Sequence, residues 1–183
     1  MELESENPSM KEYSRLQFRK STIEDLEILL RWDDEEHVIA SDPNDNWNWE
    51  IELANEPPWR EQIMVTYDHT PIGFIQVIDP KEEESHYWGD IGENFRAIDI
   101  WIGEVEYLNR GLGTKMMKYA IELCFSNPAV HTVLIDPLVS NVDAIRFYQR
   151  IGFKPIGERK FNDDLCLVHE LKRDDYFQSS RPH

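Results

Sequence analysis

Hydrophobic positions recur along the chain with two periods, and the switches between those periods predict the order of elements. Residues 15–19 alternate and predict a first strand. Ser21 with Glu24 three residues later has the form of a capping box. Leu26, Leu29 and Leu30 then recur at helical spacing, and Asp33 stands near the end of that helix. Residues 35–60, rich in Asp, Asn, Trp and Pro, predict irregular chain or short helices, the kind of long connection that often carries function. Two strands over 63–67 and 72–78 flank a turn at 68–71, and a second polar loop covers 79–92. A strand over 97–102 leads to a helix from Gly111 to Phe125, with Met116, Ala120, Leu123 and Cys124 on one face, and Asn127-Pro128 ends it. Residues 132–135 form a short apolar strand stopped by Pro137. Ser140 or Asn141 caps a helix that ends near Arg150, with Gly152 placed as its C′ residue. A last strand alternates over 165–170.

This order predicts an α/β (α+β) fold, a single domain whose mixed central β-sheet carries helices on both faces, with a βαβ crossover over 99–136. Residues 1–12 are expected to be a disordered lead, 13–177 the domain and 178–183 a tail. The length of 183 residues suits one core.

Charge narrows the choice of ligand. The formal net charge is −17, which speaks against nucleic acid and for a small cationic amine. The charge is uneven: between Glu24 and Glu56 Arg31 is the only base among many acids, acids also dominate 79–106, and bases outnumber acids over 107–160. No apolar run is long enough for a membrane span, and the acidic start does not resemble a signal peptide, so a cytoplasmic protein is expected. Cys124 and Cys166 lie in apolar runs outside any CxxC or Cys/His spacing, and are read as reduced core residues; no metal site is expected. Monomer and homodimer remain equally open.

The strongest local signal is the run Asn109, Arg110, Gly111, Leu112, Gly113, Thr114 between a strand and a helix. Its glycines permit a tight turn and close backbone approach, and the helix start offers unpaired N–H groups to a pyrophosphate, with Arg110 and Lys115 adding charge. The run is neither a P-loop nor a dinucleotide fingerprint. Some thirty residues on, Asn141, Ala144, Tyr148, Gly152 and Phe153 follow a buried strand. Together the two segments resemble the GNAT superfamily of N-acetyltransferases. That resemblance implies acetyl-coenzyme A as co-substrate, with Arg110, Gly111, Leu112, Gly113, Thr114 and Lys115 around its pyrophosphate. It further implies that residues 102–104, Ile102 and Gly103 among them, pair with the pantetheine arm, that Asn141 touches that arm, and that Tyr148 bonds the sulfur. Leu108 stands where the family often has Gln or Arg. Read without the family, Asn141 is a helix cap and Tyr148 a core aromatic.

A narrower set, with residues 96–99, 111–115, 135–137, Ser140, Asn141 and 144–146, resembles the aminoglycoside 6′-N-acetyltransferases, more closely in the C-terminal half than in the acidic loops. Strand alternation sends Asp99 and Trp101 to the face opposite the neighbouring isoleucines, and a carboxylate there calls for a cation or hydrogen bonds. Asp99 and Tyr148 are therefore the candidate catalytic pair, with an N–H near Ile102 or Gly103 for the oxyanion. For Asp99, an ion pair with Arg96 is the structural alternative. Asp136 ends the neighbouring strand and either faces the same crevice or merely forms the turn before Pro137. Asp33, Asp34, Glu35 and Glu36, then Asp42, Asp45, Trp47 and Trp49, and then residues 82–84 with Trp88, Asp90 and Glu93, are candidate walls for a polycation, the indoles offering cation–π faces. The competing readings are another amine (a polyamine, a hydroxylysine-type siderophore precursor, a protein N-terminus) or a non-catalytic acyl-coenzyme A sensor.

Overall fold

The computed structural model describes residues 15–44 and 46–179. The expected lead at 1–12, Asp45 and the last four residues of the expected tail lie outside the described residues. Seven strands form one mixed sheet in the order β1-β2-β3-β4-β5-β7-β6, with β1 Leu16–Lys20, β2 Arg60–Tyr67, β3 Thr70–Ile78, β4 Phe95–Ile102, β5 Thr132–Ile135, β6 Lys154–Phe161 and β7 Asp164–Lys172. The helices are α1 Leu26–Asp33, α2 Glu36–Ile39, α3 Trp49–Ala54, α4 Leu112–Ser126, α5 Val142–Ile151 and α6 Arg173–Ser179.

Local chemistry explains most boundaries. The capping box falls one residue later than the sequence suggested: Thr22 and Asp25 form it, and the Thr22 N–H donates to Asp25 Oδ2 at 2.8 Å. Asp25 is buried and held by Arg19 at 2.6 Å, so only this carboxylate, not the exposed Glu24, satisfies both the helix start and a cation. Asp68 and His69, both with positive φ, form the two-residue turn that matches strand twist between β2 and β3. Cross-strand rows follow from the register. Ile63, Ile75 and Ile100 share one face; Met64, Phe74 and Trp101 share the other. The isoleucine face is covered by α4, which buries Leu112, Met116, Met117, Ala120, Ile121, Cys124 and Phe125. The opposite face receives α1 and α3 through Leu29, Trp32, Trp49 and Leu53.

Two elements escaped the sequence reading. The edge strand β6 is exposed at every residue but Phe161 and so shows no hydrophobic alternation. The short helix α6 is fixed by Arg173, whose guanidinium donates to the carbonyls of Val130, Phe125 and Asn127.

The feature that shapes the site lies in the middle of the sheet. The parallel strands β4 and β5 pair only from Phe95↔Thr132 to Ala97↔Leu134. Beyond that point β4 runs on to Ile102, whereas β5 ends at Ile135 and Pro137, which has no N–H, cannot extend the ladder. The sheet therefore splits between these strands towards their carboxyl ends.

Candidate active site

The split leaves backbone groups of β4 unpaired. The Gly103 N–H donates to Ile72 O at 2.9 Å. Hydrogen-bonding direction alternates along an antiparallel strand, so the backbone groups of Ile100 and the N–H of Ile102 turn away from β3 towards the split. The Ile102 carbonyl receives His37 Nε2 at 2.8 Å. Of the residues 102–104 expected to pair with a ligand, the Gly103 and Glu104 N–H groups are occupied, both donating to Ile72 O, and the alternation leaves the Ile102 N–H facing the split.

Beside the split, Gly111 adopts φ 76 and gives α4 no side-chain cap. The N–H groups of Leu112, Gly113 and Thr114 therefore have no helical acceptor, and the positive end of the helix dipole adds to them. Gly111 is required by its left-handed φ. Gly113 lies within the helix, where a Cβ would meet Phe147 and Ile102 at ordinary contact distance, so packing does not require glycine there. The Leu112 side chain is buried core and contributes its N–H alone. Arg110 is exposed, over the Tyr107 ring at 4.9 Å, and Lys115 is half-buried in the first turn. Asn141 caps α5, accepting from the Ala144 N–H at 3.1 Å. An uncapped helix start flanked by Arg110 and Lys115 suits a pyrophosphate.

The two acids flank the split, Asp99 on β4 and Asp136 just after β5. Continuing the β4–β5 register sets Asp99 opposite Asp136. Asp99 accepts from Gln76 Nε2 at 3.0 Å. Arg96, its alternative partner, is instead bonded to Asp79 Oδ2 at 2.7 Å. Asp136 accepts from the Tyr87 phenol at 2.6 Å. Loss of water pushes the Asp136 carboxyl up to about 7, the Tyr87 hydrogen bond works against this, and the Asp99 charge adds to it. The Tyr148 phenol is held well above its ordinary value, by burial first and then by the charges of Asp99 and Asp136. The charges of Asp99 and Asp136 thus both reach the Tyr148 phenol. Cys166 sits beside them, its thiol pushed up to about 12 by burial and by the charges of Asp136, Asp164 and Asp42; Cys124 is likewise buried. Neither is a thiolate at neutral pH.

The acidic loops contribute differently from what their composition suggested. Asp42 reaches the electrostatic neighbourhood of Cys166, and Asn44 donates to Asp164 Oδ1 at 2.6 Å, so this loop crosses to the β6–β7 hairpin. Trp47 is half-buried and stacks on Trp49 at 4.9 Å. Trp49 and Trp88 are core residues, 1% and 4% exposed, so neither offers an open ring to a cation; Trp49 donates to Asp33 Oδ2 at 2.6 Å. Glu93 is bound to Lys81 at 2.7 Å beside the amino end of β4, the end away from Asp99. Asp90 is exposed in the same loop. Tyr87, which no pattern singled out, is the residue of that loop that reaches the acids.

A split parallel pair, an uncapped helix start beside it and the Asp99 and Asp136 carboxylates next to the Tyr148 phenol form a candidate site for group transfer. The chain belongs to the GNAT acetyltransferase family: the family model described as acetyltransferase (GNAT) domain matches residues 21–161. Among curated relatives, it is 27% identical over 153 residues to the aminoglycoside N(6′)-acetyltransferase type 1 of Klebsiella pneumoniae, covering 76% of this chain and 74% of that protein. It is 28% identical over 122 residues to the spermine/spermidine N(1)-acetyltransferase of Bacillus subtilis, covering 66% and 77%. The fold matches the aminoglycoside acetyltransferase AAC(6′)-Ib solved with coenzyme A and kanamycin, with a TM-score of 0.80 and 24% identity over 91% of this chain and 99% of that one. Among the described residues there is no cluster of metal-binding side chains, and no helix is long and apolar enough to cross a membrane.

Proposed function

We propose that this acetyltransferase moves the acetyl group of acetyl-coenzyme A to the primary amine of a small polycation, with the 6′-amine of an aminoglycoside as the acceptor. The carrying observation is that Asp99 stands opposite Asp136 where the β4–β5 pair splits, with the charges of both reaching the Tyr148 phenol. Trp101 favours an oxygen-bearing acceptor over a bare polyamine: its indole N–H is buried without an acceptor among the described residues, on the same face as Asp99. Hydroxyl and ether oxygens accept a hydrogen bond, whereas ammonium groups only donate.

Asp136 and Asp99 hold the acceptor ammonium, and Asp99 takes its proton directly or through water. The amine nitrogen then attacks the thioester carbon. The Ile102 N–H faces the split, where the oxyanion develops. As the C–S bond breaks, Tyr148, kept protonated by its surroundings, donates its proton to the leaving thiolate. The added nitrogen gives up its second proton to solvent as the adduct collapses, and the Asp99 proton returns through solvent to the phenolate. The products are the N-acetyl amine, the coenzyme A thiol and one proton released to solvent.

Release of free thiol from acetyl-coenzyme A, measured with kanamycin, spermidine, lysine and a short peptide, tests this. Turnover confined to 6′-amino aminoglycosides supports the proposal, and D99N should lower kcat/KM by roughly 100-fold or more. Turnover on spermidine alone would move the acceptor to the polyamines, and full turnover by D99N would remove Asp99 from the chemistry.

A further inference from the structure

Three cross-strand neighbours make a continuous hydrogen-bonded row. Gln62 on β2 pairs with Gln76 on β3, and Gln76 pairs with Asp99 on β4. Gln62 Nε2 donates to Gln76 Oε1 at 3.0 Å, and Gln76 Nε2 donates to Asp99 Oδ2 at 3.0 Å. Both glutamines are 8% exposed. Next to this row lies the packed row Met64, Phe74 and Trp101, so the amides sit against apolar side chains where an unpaired polar end is costly.

We propose that Gln62 and Gln76 are positioning residues that hold the Asp99 carboxylate in one orientation for the acceptor amine. The inference rests on the reading of Asp99 as the group that receives that amine.

The sense of the relay follows from chemistry. An ionised carboxylate only accepts, so Gln76 must turn its NH2 to Asp99. Its carbonyl then faces Gln62, which must present NH2 in turn. One charge at the active site therefore fixes the direction of two amides. The reverse also holds, because a Gln62 that donates leaves Gln76 no alternative but to donate to Asp99. A carboxylate on its own rotates broadly about its last bond, and a donor pinned at both ends removes that freedom. Gln62 stands two strands from Asp99, about 10 Å at ordinary strand spacing, so it acts through Gln76.

A variant that reverses the polarity separates this role from packing. In Q62E a second carboxylate competes for the Gln76 NH2 and draws it away from Asp99, although the side chain keeps its shape. Q62M removes the donor and leaves Gln76 unguided. The expected result is that Q62E lowers kcat/KM for the acceptor by roughly three- to thirtyfold, inside the range of couplings within one hydrogen-bond network, and that Q62M lowers it less. KM for acetyl-coenzyme A should stay unchanged, and the Q62E loss should vanish in a Q76M or D99N background. The Gln76 side-chain NH2 signals in 1H–15N spectra should move in both Q62E and D99N. Equal losses in Q62E and Q62M, losses that follow Tm, or additivity with Q76M would overturn the relay. Full turnover by D99N together with moved Gln76 signals would instead overturn the reading of Asp99 and leave the hydrogen-bonded row standing.

Discussion

Asp136 shows how one residue ties function to pH. Its carboxyl titrates near 7 in the fold because burial removes water, whereas in the unfolded chain it titrates near 4. Between those values the folded protein binds the extra proton, so stability falls as pH rises through that window. D136N, which cannot ionise and still accepts from Tyr87, should therefore gain in Tm relative to the native protein at pH 8 and show little difference at pH 4; paired melting curves check this. With Asp136 holding the acceptor ammonium, as proposed, the native KM for the acceptor should fall as pH rises through about 7, a trend that D136N should lose. Asp99 was legible in the sequence because strand alternation separates it from Ile98 and Ile100. Tyr87 was not, since a single tyrosine in a polar loop follows no period. Trp49 and Trp88 misled for a physical reason: loops that lie on a sheet need apolar anchors of their own, and in the sequence an anchor looks the same as a ligand-facing ring.

At the scale of elements, α1 and α2 are fastened to the end of β4. Glu104 accepts from Arg31 and, at 3.0 Å, from Trp32 Nε1, while His37 holds the Ile102 carbonyl. Gly103 lets this happen, because a Cβ there would fall 2.0 Å from the Trp32 ring. G103A should push α1 off β4 and cost roughly 1–3 kcal/mol as an overpacked site, read as a lower unfolding midpoint together with a raised KM for the acceptor. N141A removes the α5 cap and should cost about 1 kcal/mol. If Asn141 also touches the donor, KM for acetyl-coenzyme A should rise more than that stability loss accounts for. The α4 and α5 starts, β5 and the Gly152 end were readable because caps, glycines and prolines act locally. Strand β6 was hidden because an edge strand carrying Lys154, Pro155 and a bulge near Gly157 is built to refuse further pairing, and those residues erase the alternation.

Over the whole molecule, the charge of −17 makes a field that attracts polycations and repels anions. The acceptor KM should rise with ionic strength, more steeply for acceptors with more ammonium groups, as screening shortens to about 10 Å at 0.1 M salt. A steady-state series from 20 to roughly 300 mM salt checks this; identical slopes for mono- and tetra-amines would show that the field does not steer the acceptor.

The sequence by itself determined the elements with local causes, the helix start that suits a pyrophosphate, the family resemblance and the central acids, because turns, caps and face alternation are set by neighbours along the chain. Only the tertiary structure decided which aromatic rings are core, which N–H groups remain for a ligand, that Tyr87 reaches Asp136 and that two glutamines reach Asp99. Those outcomes depend on strand register and on burial across the sheet, where residues far apart in the chain meet and water is excluded.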